Sequence, residues 1–372
     1  MAKQSKAKTK RSRTAAKAAP ARRTRRADRP AARWVTEEGR RLLVMENRRT
    51  RVVLWPEMGG AITSYVDRET GLDIIWRNPW VQPARPRVLD QPMTGGSDLF
   101  DVMDGSWYVS LPTGFFPTSY FGAPIGSHGE IRAVPWVPEV KTAGGALVVT
   151  LVGRSVRTPL VYRRELTMRP DDRLLYWRET VENRSAGALP VAWLQHPTFG
   201  GPLIEGARLV APARGVRIFD TDHPEALQLR AGYRGEWPLV PERESGRMRD
   251  CSVVPPAGSG LDHSVQLTDL SAGWGCIWNE ARGLGFAMEW DLEVFPYAWS
   301  WASAGGIAHY PLWGEGHLVT LQPSTSPAGQ FADLVRAGEV RQIPGRGSVT
   351  AAMVTGFVTK SAGPWAGGKP AS

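Results

Sequence analysis

LLYWRETVENRSAGALPVAWL, residues 174–194, decides the fold class of this 372-residue chain. In Leu174–Val181 the side chains alternate between two faces, which is typical of a strand with one face in a core. Asn183–Gly187 (NRSAG) has the composition of a turn, and Pro190–Leu194 is a second apolar run. A strand, a polar turn and another strand in so short a stretch indicate β structure.

The chain after about residue 34 follows the same pattern throughout. Short β-branched runs such as Arg51–Trp55 (RVVLW) and Ala146–Val152 (ALVVTLV) are separated by turns that use many of the 40 glycines and 30 prolines. Helical periodicity is scarce, and Ala328–Gly338 is the best helix candidate. Many short strands, with turns about every ten residues, predict an all-β chain built as a sandwich or barrel.

Composition divides the chain into a basic tail (residues 1–33), one large β domain (34–358) and a flexible Gly/Pro/Ala-rich end (359–372). The first 30 residues hold twelve of the 46 Lys and Arg residues but a single acid, Asp28. The tail has almost no large apolar side chains, so burial cannot offset the entropy lost on ordering. We therefore expect the tail to be disordered. A basic tail can contact polyanions weakly. The remaining 34 basic and 35 acidic residues give no electrostatic reason to expect nucleic acid.

Other features of the composition exclude several classes of protein. The two cysteines, Cys251 and Cys276, make neither a disulfide framework nor a metal site. No apolar run approaches the length of a membrane span, and the tail lacks the apolar core of a secretory signal. We therefore expect a cytoplasmic protein that uses no metal or cofactor. His223 and His263 lie in polar segments, where we expect them to be solvated.

Four segments rich in aromatic residues and glycine stand out by their order and spacing. They are Leu54–Trp80 (LWPEMGGAITSYVDRETGLDIIWRNPW), Gly95–Gly105 (GGSDLFDVMDG) with Ser127–Trp136 (SHGEIRAVPW), Trp193–Leu209 (WLQHPTFGGPLIEGARL), and Trp290–Trp301 (WDLEVFPYAWSW) with Leu318–Met353. In these segments the chain resembles the aldose 1-epimerase (galactose mutarotase-like) family. The resemblance implies a galactose mutarotase-like β-supersandwich, a large antiparallel sandwich whose concave face holds a sugar site.

The resemblance also implies a reaction and the residues that carry it. In the family, a base removes the proton of the anomeric hydroxyl while an acid protonates the ring oxygen, and ring opening interconverts the α and β anomers of an aldose. His196 matches the histidine that acts as the general acid, and His128 matches a second histidine at the same part of the sugar. Imidazole suits such roles because its pKa lies near neutral pH.

Three further residues are candidates for binding the sugar. Asp98 and Asp291 fall where the family places acids that hold sugar hydroxyls, although a turn or cap role fits an aspartate equally well. Arg132 follows His128 in a segment that reads as an alternating strand, so it could line the floor of the cleft or serve packing alone.

Gln322 is the one departure from the family pattern. The family strand that reads Leu-x-Pro before a Ser/Thr-rich turn carries the general-base glutamate, whereas this chain reads Leu321-Gln322-Pro323. A glutamine can hydrogen-bond the anomeric hydroxyl but cannot take its proton near neutral pH. Since base catalysis contributes about 10²–10⁴-fold, the ordinary mechanism should be severely impaired.

Three alternatives follow from this substitution. Another carboxylate could be the base, and Glu130 is the best substitute because period-two alternation would put it on the same strand face as His128. The other carboxylates available are Glu315 and Asp291. Alternatively the roles shift, with neutral His128 as base and His196 as acid. The third alternative is a non-catalytic carbohydrate-binding or sugar-sensing protein of the same fold.

Overall fold

The computed structural model describes residues 29–79, 105–219, 228–310 and 312–361, and nearly all regular structure in them is β. The first thirteen strands are β1 Ala31–Glu37, β2 Arg40–Glu46, β3 Thr50–Trp55, β4 Ala61–Asp67, β5 Trp107–Ser110, β6 Thr118–Tyr120, β7 Ala123–Ile125, β8 Trp136–Ala143, β9 Ala146–Arg154, β10 Leu160–Met168, β11 Leu174–Asn183, β12 Leu189–Val191 and β13 Leu194–Phe199. The others are β14 Arg208–Val210, β15 Gly215–Arg217, β16 Arg234–Glu236, β17 Leu239–Pro241, β18 Met248–Asp250, β19 Leu261–Thr268, β20 Trp274–Asn279, β21 Leu284–Trp290, β22 Tyr297–Ala304, β23 His317–Thr320, β24 Gln322–Ser324, β25 Arg341–Ile343 and β26 Ser348–Val358.

Helix is confined to four short pieces among the described residues. The α-helix α1 is Phe331–Ala337, and the three 3₁₀ turns are Ile131–Ala133, Gly201–Leu203 and Glu280–Arg282. α1 lies inside the segment that sequence periodicity favoured. Its C-cap is Gly338, whose φ of +71° a residue without a side chain adopts at little cost. None of these helices is long and apolar enough to cross a membrane.

Two large sheets, both antiparallel, make up the sandwich. One has twelve strands in the order β1-β2-β3-β4-β5-β13-β23-β22-β19-β15-β16, with β24 pairing to β13 and β22. The other has eight strands in the order β14-β20-β21-β26-β11-β10-β9-β8. Three two-stranded ladders, β6-β7, β12-β25 and β17-β18, complete the described structure. The all-β prediction is therefore confirmed.

β11 shows why the alternating pattern of residues 174–194 forms a strand. Leu175, Trp177 and Val181 are buried, while Leu174 and Tyr176 on the opposite face are half-buried. The strand pairs with β10 on one side and β26 on the other, so its apolar face is directed into the sandwich. Alternation of this kind is stable only where one face meets another layer.

The core lies between the two sheets and is rich in aromatic side chains. Trp107 of β5 stacks on Trp177 of β11, with ring centroids 4.7 Å apart. Phe286 of β21 contacts Phe199 of β13 at 5.2 Å and Tyr65 of β4 at 4.9 Å. Each such ring buries about 150–250 Å². These contacts pack β4, β5 and β13 of the twelve-stranded sheet against the eight-stranded sheet.

A buried ionic cluster joins β13 to the eight-stranded sheet. The Arg164 guanidinium donates its Nε hydrogen to Glu179 Oε1 at 2.6 Å, and the Gln195 amide donates to Glu179 Oε2 at 2.6 Å. Trp107 Nε1 donates to the Gln195 carbonyl oxygen at 3.2 Å. All four side chains are buried. Gln195 is thus held on the core side of its strand.

The described residues exclude both ends of the chain and His223 but include His263. Residues 1–28 and 362–372 lie outside the described residues, and β1 begins at Ala31, three residues before the predicted start of the domain. His223 also lies outside the described residues. The expectation of a solvated His263 is wrong, because His263 is buried inside β19.

Candidate functional site

The two faces of β13 have different roles. Gln195 and Phe199 point into the core, whereas Leu194, His196 and Thr198 occupy the alternate positions and point to the other face of the twelve-stranded sheet. We call this second face the site face. His196 lies on the site face because it follows the core-facing Gln195 in the strand.

Cross-strand register extends the site face from His196 in both directions. Tyr108 of β5 is directly opposite His196. β13 also pairs through Leu194 with β24 and through Thr198 with β23. Leu194 is opposite Ser324 and Thr198 is opposite Thr320, so both pairings follow the same register. Continuing that register places His196 level with Gln322.

The same row continues across the next two strands. Trp299 of β22 is opposite Gln322, and Gln266 of β19 is opposite Trp299. Directly opposed residues of antiparallel strands share a face. We call the following residues the site row: Tyr108, His196, Gln322, Trp299 and Gln266.

His128 joins this row from a turn after β7. The sequence predicted a strand here, and that prediction is wrong: His128 has a φ of +61° and Gly129 a φ of +75°. A Cβ on Gly129 would lie 2.1 Å from the carbonyl oxygen of Leu111, so glycine is required for this close approach. The His128 N–H donates to the Gly114 carbonyl at 2.9 Å. The turn therefore holds the imidazole over β5.

The two imidazole rings meet edge to face above the sheet. Their centroids are 5.0 Å apart with an interplanar angle of 87°. Tyr108 stacks on His196 at 4.5 Å and 11°, and Phe115 contacts His128 at 5.3 Å. His128 Nδ1 lies 3.0 Å from the hydroxyl of Ser110, which can hydrogen-bond this nitrogen in either imidazole tautomer. The sequence-predicted pair is thus brought together.

Both histidines are neutral at pH 7. Burial lowers the pKa of His196 to about 3, with a further contribution from the positive charge of Arg132. Burial also lowers the pKa of His128 well below its usual value, and His196 and Arg132 lower it further. Each ring can donate one hydrogen bond and accept another in this state.

Arg132 lies beside this pair but on a different element from the one predicted. It belongs to the 3₁₀ turn Ile131–Ala133, and its buried guanidinium donates twice to the carbonyl of Ser127, at 3.1 and 3.3 Å. Its central carbon lies 5.9 Å from the centre of the Tyr108 ring. Arg132 therefore supplies positive charge next to the site row, and its strand assignment is wrong.

Glu130 does not occupy the position that strand alternation predicted for it. Residues 128–130 form a turn, so Glu130 does not share a strand face with His128. Its carboxylate accepts hydrogen bonds from the backbone N–H groups of Val156, Arg157 and Thr158 and from the Thr158 hydroxyl, at 2.7–3.1 Å. The alternation argument is wrong because a positive-φ turn interrupts it, and the carboxylate anchors a loop.

Gln322 lies on the site face, opposite Trp299. It is 2% exposed, and its amide nitrogen donates to the Thr320 hydroxyl at 2.7 Å. Its amide oxygen has no partner among the described residues. The side chain is therefore oriented by Thr320 and presents an acceptor.

The remaining predicted acids do not join the site row. Asp291 follows β21 of the eight-stranded sheet, where its carboxylate accepts the N–H of Glu293 at 3.1 Å and its carbonyl accepts two further turn hydrogen bonds. This is the turn role that the sequence left open. Glu315 is exposed in the loop between β22 and β23. Asp98 lies outside the described residues.

Asp262 is a buried acid that the sequence reasoning missed. It lies on β19 opposite Ser303, and its Oδ2 accepts the indole N–H of Trp301 at 3.1 Å. It shares the site face with Gln266, four residues along the same strand. The signal was present in LDHSVQLT, where Asp262, Ser264 and Gln266 alternate with core-facing residues.

Unpaired buried polar atoms concentrate in the site row. Among the described residues there is no hydrogen-bond partner for His196 Nδ1, Gln322 Oε1, Trp299 Nε1, the Tyr108 hydroxyl or either polar atom of the Gln266 amide. A buried polar group left unpaired costs about 1–3 kcal/mol, and folded proteins seldom tolerate several together. The row therefore offers several polar atoms that no described residue satisfies.

Other kinds of site find less support in the described part of the chain. It contains no group of three or more His, Cys, Asp or Glu side chains placed to hold a metal ion. Cys251 and Cys276 are both buried free thiols. Burial raises the pKa of Cys251 to about 12, so this thiol is not poised as a nucleophile.

Comparison with known proteins gives the family and the fold. A model of the family described as "Domain of unknown function (DUF4432)" matches residues 38–355. A "putative aldose 1-epimerase" from Klebsiella pneumoniae has a similar structure, with 15% identity, a TM-score of 0.68 and coverage of 86% of this chain and 79% of that one. A galactose mutarotase-like protein from Clostridium acetobutylicum has 13% identity, a TM-score of 0.64 and coverage of 89% and 99%. The predicted galactose mutarotase-like fold is thereby confirmed.

Proposed function

We propose that this chain, which belongs to the DUF4432 family, binds an aldose at the site row and slowly interconverts its α and β anomers. One observation carries the proposal: the cluster of buried, unpaired polar atoms on His196, Gln322, Trp299, Tyr108 and Gln266. A sugar ring offers a hydroxyl on almost every carbon, and each hydroxyl both donates and accepts. Such a ligand can satisfy several of these atoms at once.

The position of each group suggests how the sugar is held. Gln322 Oε1 would accept from the anomeric hydroxyl, since the amide is already oriented by Thr320. His196 lies level with Gln322, and the His128 ring contacts the His196 ring. Both imidazoles would therefore contact the same end of the sugar. Asp262 provides a buried carboxylate for a hydroxyl pair farther along the site face.

The reaction that this arrangement supports best uses His128 as base and His196 as acid. If His128 Nδ1–H donates to the Ser110 hydroxyl, Nε2 carries a lone pair that can take the anomeric proton. An N–H of His196 gives its proton to the ring oxygen as the bond between that oxygen and the anomeric carbon breaks and the carbonyl forms. Closure on the opposite face returns both protons and gives the other anomer.

This reaction should be slow for two physical reasons. Both imidazoles are neutral, so the acid must give up a proton from an uncharged ring and the base has a depressed pKa. Gln322 replaces a carboxylate, and a positioned base is worth about 10²–10⁴-fold in rate. The enzyme would therefore work well below the rate of one that has a glutamate here.

Sugar binding without turnover is the second candidate function. Gln322 is an amide, Glu130 is held by four donors away from His128, and Glu315 is exposed. None of the five residues of the site row is a carboxylate, and such a row suits recognition or sensing as well as slow catalysis. The basic tail does not bear on this choice, and its weak contact with polyanions stays a prediction.

Two measurements on the same samples test both candidates. Calorimetry with glucose, galactose, xylose and arabinose measures binding, and NMR exchange between anomers measures turnover. We expect saturable binding that is lost in His196→Ala but retained in His309→Ala, which removes an exposed histidine. Binding with exchange no faster than in buffer would leave the second candidate. No binding of any of these sugars would overturn the proposal.

A further inference from the structure

Aromatic side chains continue outward from the site row along the β22–β23 hairpin. Trp299 is 2% exposed, Trp301 two residues later is half-buried, and Trp313 in the hairpin loop is 55% exposed. Tyr310 of the same loop is 37% exposed. We call Trp301, Tyr310 and Trp313 the aromatic path. Its exposure rises along the chain from Trp301 through Tyr310 to Trp313.

Trp301 begins the path next to the proposed sugar. It shares the site face with Trp299 and lies about 7 Å from it, since two residues of a strand span that distance. Its indole N–H donates to Asp262 at 3.1 Å, and its backbone N–H donates to the Thr320 hydroxyl at 2.8 Å. Because the indole N–H of Trp301 is already hydrogen-bonded to Asp262, the ring offers a ligand its flat apolar surface.

The hairpin loop folds back over the site face. Ile307 and Leu312 pack with Leu318 and Trp76 in one apolar cluster, against which Trp301 also packs. The Gly305 N–H donates to the Gly316 carbonyl at 2.8 Å and closes the base of the loop. This packing holds the loop against the same face as Trp301, and the tip of the loop carries Tyr310 and Trp313.

The loop tip presents its rings at a cost to stability. Trp313 has a φ of +51°, a conformation that costs a bulky side chain about 1–3 kcal/mol, and more than half of the side chain is in water. Tyr310 meets it edge to face, with ring centroids 6.4 Å apart. Neither ring adds to the core. The energetic cost of exposing these rings and of the positive φ at Trp313 is explained if Trp313 and Tyr310 bind a ligand.

We propose that the aromatic path holds further units of a saccharide chain whose reducing-end unit occupies the site row. Trp301 would stack on the second unit, and Trp313 with Tyr310 on the third. Each sugar unit has an apolar C–H face that complements an aromatic ring, and its hydroxyls stay in water at the exposed end of the path. The ligand class is thus a short oligosaccharide rather than a free monosaccharide. This inference rests on the proposed function.

The direction of the chain follows from the reaction. Anomer interconversion needs a free anomeric hydroxyl, and only the reducing-end unit of an oligosaccharide has one. That unit must therefore lie at His196 and Gln322. The remaining units extend from its other side, toward the β22–β23 loop.

Calorimetry with matched monomers and trimers tests the inference. Glucose is compared with cellotriose and maltotriose, and xylose with xylotriose. We expect one trimer to bind at least tenfold more tightly than its monomer. Trp313→Ala and Tyr310→Ala should each remove most of this advantage and leave the monomer Kd within about twofold. Trp34→Ala, at a tryptophan 42% exposed on β1, is the matched control and should change neither Kd.

The outcomes separate this inference from the proposed function. Monomers that bind as tightly as trimers, or a trimer advantage that survives both loop variants, would overturn the aromatic path and leave the site row intact. Absence of binding by monomers and trimers alike would overturn both. Thermal melting checks that each variant is folded, and two independent loop variants keep the test valid if one of them is not.

Discussion

The imidazole rings of His128 and His196 lie perpendicular to each other with centroids 5.0 Å apart, although one comes from a turn and the other from a strand. Neither ring has a carboxylate partner among the described residues. Burial lowers the pKa of both rings, His196 lowers that of His128 further, and the positive charge of Arg132 acts on both. The pair is built to bind as two neutral rings.

Stability should fall below pH 6.5. His128, His196 and His263 are buried and their pKa values are lowered, to about 3 for His196 and about 4 for His263. Below the unfolded pKa the unfolded chain binds more protons than the folded one, so acid favours unfolding by about 1.4 kcal/mol per pH unit for each histidine. Urea melts from pH 7.5 to 5.0 measure this, and His263→Phe should show a shallower slope. An equal free energy of unfolding at both pH values would contradict it.

Ser110→Ala should change the tautomer of His128. The Ser110 hydroxyl is the hydrogen-bond partner of His128 Nδ1, and the alanine variant leaves that nitrogen with none in the described structure. We expect the proton to move to Nε2, so the variant loses the lone pair that accepts the anomeric proton. Nitrogen NMR of the imidazole detects this directly, and anomer exchange should slow while sugar binding persists. Ser245→Ala, in an exposed turn, is the control.

Glu130→Gln should weaken the fold more than the chemistry. An amide can accept with one atom only, so some of the four hydrogen bonds from residues 156–158 are lost. We expect a loss of about 1–3 kcal/mol in the free energy of unfolding, with anomer exchange unchanged once the protein is folded. Glu293→Gln at an exposed position is the matched control. A variant of full stability that has lost all exchange activity would identify Glu130 as the base instead.

Gln322→Glu should raise the rate of anomer exchange by about 10²–10⁴-fold at neutral pH. The new carboxylate supplies the missing base, and its negative charge would raise the pKa of nearby His196 and make that ring a better acid. NMR exchange with the sugar that binds best measures the rate. Gln342→Glu, at an exposed position of β25, should have no effect. A rate unchanged by Gln322→Glu would mean that the site row does not hold the anomeric end of the sugar.

The strands could be predicted from sequence because their patterns are local. Leu174–Val181 was predicted as a strand, and β11 covers Leu174–Asn183; the run Arg51–Trp55 likewise matches β3. In each, alternation with period two reflects a buried face. The level arrangement of His196 and Gln322 follows from pairing between distant strands, which no local pattern specifies.

The turn at His128 shows where local reasoning fails. Polar and apolar residues alternate over Glu130–Ala133 (EIRA), yet the backbone turns, and both the Glu130 N–H and the Ile131 N–H donate to the carbonyl of Leu111. That carbonyl is distant in sequence from the turn, so only the folded chain brings it close. The same long-range contact removes Glu130 from the strand position that alternation had assigned to it.

The ionic cluster behind β13 has a consequence for the fidelity of strand pairing. A slip of one residue would turn His196 into the core, beside the positive charge of Arg164, and put Gln195 on the site face. Glu179 and Trp107 bind Gln195 only in the native register. A chain that pairs β13 in the shifted register would bury the Arg164–Glu179 pair without its amide partner, so the cluster disfavours that register.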